Sequence, residues 1–174
     1  SIKEVVARYA PDIIFNATAY TAVDKAESQA ELAEAINGTG PGILAEEARR
    51  VGALLVHYST DYVFDGSKGA PYKEGDPPSP VNIYGQTKLQ GEQAVQQAGG
   101  LHLIFRTSWV YSLRRDNFVT KVMEWAHNQK NLRIVDDQVS SPTWARLLAE
   151  CSTHVLAQGR GDALGYLADK GGVY

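Results

Sequence analysis

Apolar positions along this chain alternate between a helical spacing and short unbroken runs. Ile2, Val5, Val6 and Tyr9 recur at helical period until Pro11 stops them, and Ser1 and Glu4 have capping-box spacing, so a helix is expected first. Ile13-Ile14-Phe15 reads as a short buried strand ending at Asn16, followed by an alanine-rich helical stretch over about 24–36. Beyond Pro41, a residue suited to a helix start, Ile43, Leu44, Ala48 and Val51 form an apolar stripe that Gly52 closes. The alternation continues with strand 53–58, helix 84–98 closed by Gly99-Gly100, strand 101–106, helix 117–128, strand 132–135 and helix 144–156.

Runs such as Leu54-Leu55-Val56 and Leu103-Ile104-Phe105 are apolar on both faces, as parallel strands covered by helices on both sides must be. The expected fold is therefore α/β, a doubly wound, mostly parallel sheet of the Rossmann type. Residues 66–80 are rich in Gly, Pro and Lys and are expected to form a long surface loop near the site. A dinucleotide-binding sheet should begin with a strand and a glycine-rich turn. No such strand precedes Ser1, and Gly38-Thr39-Gly40-Pro41-Gly42 follows a helix and carries a proline, a poor context for a phosphate loop. Gly171-Gly172-Val173-Tyr174 stops where a further strand would start, so the sheet is expected to be incomplete at both ends. Residues 1–174 are read as one partial domain.

Composition narrows the classes of function. With 44% apolar residues in 174, the chain can bury roughly two-thirds of its unfolded surface. The net charge of -3 comes from 17 basic and 20 acidic residues that are interspersed, which leaves no basic stripe for nucleic acid. Cys151 is the single cysteine, so no intrachain disulfide can form, and its neighbours Leu147, Leu148 and Val155 suggest a buried thiol in a reducing cytoplasm. No apolar run approaches a membrane span and no secretory leader is visible.

The candidate chemistry centres on Tyr84 and Lys88, which stand four apart at a helix start and so share one face. An ammonium near a phenol stabilises the phenolate, which suits a tyrosine to proton transfer at a carbonyl oxygen. Tyr166 and Lys170 match the same spacing but lack a strand-end hydroxyl upstream, and are read as a chance match. Strand 53–58 runs directly into Ser59-Thr60-Asp61, at the carboxyl edge of the sheet, where ligands of such folds sit. His57, His102, His127 and His154 are scattered without zinc-site spacing and are read as structural, and Asp136-Asp137 and Glu46-Glu47 as solvated carboxylates, so no metal ligand is assigned.

The Thr60…Tyr84-x-x-x-Lys88 arrangement resembles the extended short-chain dehydrogenases. The wording Asn16-Ala17-Thr18-Ala19-Tyr20-Thr21-Ala22-Val23-Asp24-Lys25-Ala26-Glu27 resembles their dTDP-4-dehydrorhamnose reductase family, as do 59–66, 84–88 and 106–111. The resemblance implies reduction of dTDP-4-dehydro-L-rhamnose to dTDP-L-rhamnose, with hydride from NADPH or NADH. It implies Tyr84 as proton donor, Lys88 as the group that holds the nicotinamide ribose and lowers the phenol's pKa, and Thr60 and Asp61 as sugar contacts that tune the site. Ala19, Tyr20, Thr21 and Tyr58, with Tyr84 and Lys88, would line the cofactor. Trp109 would pack against the substrate, and residues from about 136 on would contribute to the substrate side. Magnesium is associated with the family, but no ligands for it are assignable. Ser140 and Thr18 depart from the family's usual small residues at their positions. The remaining alternatives are a nucleotide-sugar epimerase or dehydratase of the same fold, and a non-catalytic reductase-like regulatory subunit of methionine adenosyltransferase. A small-molecule nucleotide sugar is the expected partner, with neither nucleic acid nor membrane, in a cytoplasmic protein that is a candidate homodimer.

Overall fold

The computed structural model of the protein describes residues 1–114 and 116–158. These fall into two compact units, one reaching to Arg106 and the other starting at Thr107.

In the first unit, helix α1 (Ile2–Tyr9) opens with the expected capping box: the Glu4 amide donates to Ser1 Oγ and the Ser1 amine to Glu4 Oε2. Strand β1 (Ile13–Asn16) pairs in parallel with β2 (Leu54–Thr60), and β2 also adjoins β3 (His102–Thr107), giving the order β1-β2-β3. Between β1 and β2 run α2 (Val23–Ala26), α3 (Ala30–Glu34) and α4 (Gly40–Val51), and between β2 and β3 runs α5 (Ile83–Ala98). The alternation of strand and helix is that expected of an α/β fold. The core lies where α4 and α5 meet the sheet, in a cluster of Ala45, Ala48, Ala53, Leu55, Val95 and Ile104. Loop 66–80 holds only turns and bends, as expected.

The helical stretch expected over 24–36 is broken. Ser28 Oγ donates to the Lys25 carbonyl and ends α2, while the Glu27 carboxylate accepts from the Ile83 amide and so is drawn toward the start of α5. Farther on, α3 enters α4 without a break through a π-turn, Ala35–Thr39. The glycine cluster 38–42 is thus helical and forms no phosphate loop. Proline explains the turn. In an α-helix the Asn37 carbonyl would accept from residue 41, but Pro41 has no amide hydrogen and its ring would crowd that carbonyl. The displaced carbonyl faces α5 at Gly91, so closely that a Cβ there would collide with the Asn37 oxygen.

The second unit contains β4 (Val110–Tyr111) paired in parallel with β5 (Thr143–Trp144), and helices α6 (Phe118–Asn128) and α7 (Ala145–Gln158). Asn117 caps α6, its side chain accepting from the Thr120 amide. Three expectations fail here. Residues 132–135 form no strand: a four-residue apolar run needs a neighbouring strand to satisfy its amides, and Ile134 and Val135 instead stand exposed. Cys151 is exposed rather than buried. Among the described residues Ser152 is the buried residue of α7, and Leu147 stands exposed, so the helix's apolar composition does not mark a buried face. Trp144, expected to begin the last helix, belongs to β5.

Because the α4–α5 approach depends on a missing side chain, Gly91→Ala should destabilise the protein by about 2 kcal/mol or more in urea unfolding. Gly75→Ala, where an added Cβ meets nothing within 4 Å, should stay within about 0.5 kcal/mol. Equal midpoints for the two variants would show that the contact is easily relaxed.

Candidate functional site

The parallel register places Asn16 opposite His57, so β1 and β2 leave the sheet at the same edge. This is the carboxyl edge, where open α/β sheets bind ligands. Asn16 and His57 are both buried and hydrogen-bonded to each other, Nδ2 to Nδ1, at 3.0 Å. The Asn16 carboxamide oxygen also accepts from the Thr18 amide (3.2 Å) and hydroxyl (2.6 Å), which turns the chain out of the strand. Farther along this loop, Asn37 brackets the Tyr20 backbone. Its Oδ1 accepts from the Tyr20 amide at 2.8 Å and its Nδ2 donates to the Tyr20 carbonyl at 3.1 Å. Asn37 Nδ2 also reaches Thr87 Oγ1 at 3.3 Å, and that hydroxyl donates to the Tyr84 carbonyl at 2.9 Å. The loop with Ala19, Tyr20 and Thr21 is thereby tied to α5.

Strand β2 ends in a single 3-10 turn, Asp61–Val63. The Thr60 hydroxyl accepts from the Tyr62 amide at 3.2 Å and donates to Asp61 Oδ1 at 3.1 Å. Asn82 caps α5 by accepting from the Gly85 amide at 2.7 Å. A Cβ at Gly85 would strike the Tyr62 carbonyl, so glycine lets the helix start abut the turn. Tyr84 thus lies edge-on to Tyr62, with ring centroids 5.5 Å apart, and hydrogen-bonded to the Thr60 side chain. One turn on, Lys88 is 1% exposed and its Nζ donates to the Tyr58 carbonyl at 2.7 Å. The Tyr58 ring stacks on Phe105.

Burial dominates the electrostatics. It raises the Tyr84 phenol above its ordinary value; the Thr60 hydrogen bond opposes this, and Asp61 and Tyr62 add to it. Burial lowers Lys88 to about 8, against the attraction of Glu92. The expected lowering of Tyr84 by Lys88 is therefore not seen: the ammonium is directed at the Tyr58 carbonyl, and the phenol stays protonated well above neutral pH. His57 is lowered to about 3, by burial first and by the Lys88 charge second.

Tyr58, Thr60, Asp61, Tyr84 and Lys88 are thus brought together in the first unit, beside the loop of Ala19, Tyr20 and Thr21. A strand-end hydroxyl, a protonated phenol and a buried ammonium form a donor set that fits the ribose and reacting carbonyl of a nicotinamide reduction. Trp109 belongs to the second unit. Its φ of 46° is left-handed, unusual for a bulky residue, and its ring meets Phe118 edge-on at 4.5 Å. Ser140, in the same unit, shares a hydrogen bond with the Ser108 hydroxyl. Tyr166 and Lys170 lie outside the described residues. Among the described residues no group of three or more His, Cys, Asp or Glu could hold a metal ion, and no helix is long and apolar enough to cross a membrane. Sequence reasoning passed over Asn37, hidden in a glycine-rich stretch, and Glu92, although its spacing from Lys88 was visible.

Comparison with known proteins agrees with this geometry. The family model described as the RmlD substrate binding domain matches residues 1–168. The dTDP-4-dehydrorhamnose reductase of Burkholderia thailandensis is 49% identical over 157 residues, which cover 90% of this chain and 53% of that protein. Among solved structures, the dTDP-4-dehydrorhamnose reductase ortholog of Clostridium acetobutylicum superposes with a TM-score of 0.88 at 38% identity, over 91% of this chain and 56% of that one. The Bacillus anthracis dTDP-4-dehydrorhamnose reductase, solved in complex with NADP, gives 0.86 at 38% identity, over 90% of this chain and 56% of that one. The chain spans about half the length of the curated relatives it matches.

The buried imidazole at the strand edge makes stability depend on pH. His57 titrates at about 3 in the fold and at 6.5 when unfolded, so its neutral form contributes fully above pH 6.5 and that contribution is lost as pH falls toward 3. Between pH 7 and 5, His57 should account for about 2 kcal/mol of lost stability. His57→Gln should remove that part of the slope in urea unfolding, whereas parallel slopes for the two proteins would mean the ring is already hydrated.

Proposed function

The chain belongs to the RmlD substrate-binding-domain family, and on that footing we propose that it carries the proton-transfer machinery of a dTDP-4-dehydrorhamnose reductase acting in the cytoplasm. The reaction would reduce the 4-keto group of dTDP-4-dehydro-L-rhamnose and yield dTDP-L-rhamnose. The NADP held by the Bacillus relative favours NADPH as the hydride source when bound. The observation that carries the proposal is the meeting of the Thr60 hydroxyl, the Tyr84 phenol and the buried Lys88 at one strand end.

Each group has a task suited to its state. Tyr84, raised by burial, is protonated at neutral pH and can donate its proton to the 4-oxygen as negative charge develops there. The Thr60 hydroxyl, on the same phenol, holds it in line and can share the hydrogen bond of the ketone oxygen. Lys88, fixed by the Tyr58 carbonyl, is the ammonium that would hold the nicotinamide ribose. Asp61 would contact the sugar, and Ala19, Tyr20, Thr21 and Tyr58 would line the cofactor. We assign Trp109 and the residues from about 136 on to the substrate side.

The test is Tyr84→Phe in a polypeptide of its relatives' length that carries these residues, assayed with dTDP-4-dehydro-L-rhamnose by loss of NADPH absorbance. The change removes the proton but keeps the ring, so NADPH affinity and the circular dichroism spectrum should be preserved. The value of kcat should fall by about 10²- to 10⁴-fold while KM moves little. A near-normal kcat in a folded variant would end the assignment of Tyr84 as acid.

A further inference from the structure

Helix α5 presents Tyr84, Lys88 and Glu92 at successive four-residue steps, so the three lie along one face. Glu92 is 1% exposed and is gripped by Arg106, from β3, through both carboxylate oxygens. Nε donates at 3.0 and 3.3 Å and Nη2 at 2.6 Å. The guanidinium of Arg106 also lies 5.1 Å from the centroid of the Phe64 ring, in the segment that follows Thr60 and the 3-10 turn, and Phe64 stacks on Tyr72 with centroids 4.2 Å apart. One buried carboxylate therefore joins the helix of the proton-transfer pair, the third strand and the chain leaving β2.

A buried ion pair is weak evidence for stability, because apolar residues of similar volume often serve the fold as well or better. The arrangement around Glu92 has a more specific logic. Two cations share this setting, Lys88 buried one turn back along the same helix face and Arg106 on the carboxylate itself, and an ammonium removed from water tends to lose its proton. The other groups around Lys88 do not offset this. His57 on β2 is neutral and bound to Asn16, the Tyr58 carbonyl is uncharged and Tyr84 is protonated, while the Asp61 carboxylate in the 3-10 turn bears on Tyr84 and Tyr62. Glu92 is the carboxylate on the lysine's own helix face, one turn away.

We propose that Glu92 is a positioning residue that keeps Lys88 charged at its station under the strand ends, with Arg106 holding the carboxylate in place. The inference rests on the reading of Lys88 as the ammonium of the reductase site. Glu92 raises the lysine's affinity for its proton against the effect of burial, which otherwise brings Lys88 to about 8. The alkaline limit of activity, set where Lys88 loses its proton as pH rises, is thus set by a residue outside the reach of substrate and cofactor.

The test follows the Lys88 side chain directly, by NMR of the full chain labelled with 13C and 15N at lysine, with the Lys88 signal assigned from a Lys88→Arg variant. Glu92→Gln keeps the shape and removes the charge, and should lower the Lys88 titration midpoint by about one unit or more. Glu92→Asp, which retains the charge, should restore most of it. If Glu92→Gln does not fold, the double variant Glu92→Met with Arg106→Met replaces the pair by apolar side chains and should lower the midpoint likewise. In a polypeptide of its relatives' length, the alkaline limb of the kcat/KM profile should move down with the midpoint. An unmoved midpoint in the folded Glu92→Gln or double variant overturns the inference and leaves Glu92 a structural residue. A midpoint that moves without the activity profile upholds the role of Glu92 and faults the reading of Lys88 instead.

Discussion

Much of the first unit depends on where one ammonium has been buried. Lys88 has given up water for a single carbonyl, that of Tyr58, and the loss of hydration for such a group is worth several kcal/mol. It can be held there only if α5 lies close against the end of β2, with little room for water to follow. The two close approaches along the helix serve this. Gly85 lets the helix start abut the turn after Thr60, and Gly91 accepts the carbonyl that Pro41 turns out of the neighbouring helix. The same closeness brings Tyr84 to Thr60, so the geometry that buries the lysine also assembles the hydroxyl and the phenol.

Two asparagines at this edge are satisfied by short-range devices, and each holds a piece of backbone rather than a ligand. Asn16 is fixed by His57 and turns the chain at Thr18; Asn37 holds Tyr20 by both its amide and its carbonyl. Both asparagines are buried, and an unsatisfied carboxamide there would cost about 1–3 kcal/mol. That cost gives the loop beside the site a defined shape, which suits a surface proposed to receive a polar cofactor. The raised phenol and the lowered lysine and imidazole are three outcomes of one cause, the exclusion of water from a strand edge.

The parts of this that could be read from the residues are those with a period or a local signature. The capping box at Ser1 and Glu4, the double-sided apolar run of β2, and the helix α5 closed at Gly99 were legible because each carries a local signature. So was the Tyr84–Lys88 pair, since four-residue spacing on a helix fixes a shared face. The π-turn was not, because a glycine-rich stretch around a proline reads as a break until a neighbouring helix shows where the freed carbonyl goes. The strand expected at 132–135 failed because pairing is a property of the neighbour and not of the run. The sign of the Tyr84 shift was also out of reach: adjacency to Lys88 was visible, but burial and the competing Tyr58 carbonyl were not.

The central claim is that hydride and proton arrive at the two ends of one carbonyl in this site, the proton from Tyr84. The measurement that bears on it most directly uses NADPH deuterated at its reacting position, in a polypeptide of its relatives' length carrying these residues. The product is examined by mass spectrometry and NMR, and the rates are compared in light and heavy water. The account predicts one deuterium at C4 of the sugar, none elsewhere, and a slower reaction in heavy water that disappears when Tyr84 is replaced by Phe and the residual rate is examined. A product without deuterium at C4, or a solvent effect unchanged by the loss of the phenol, would contradict it.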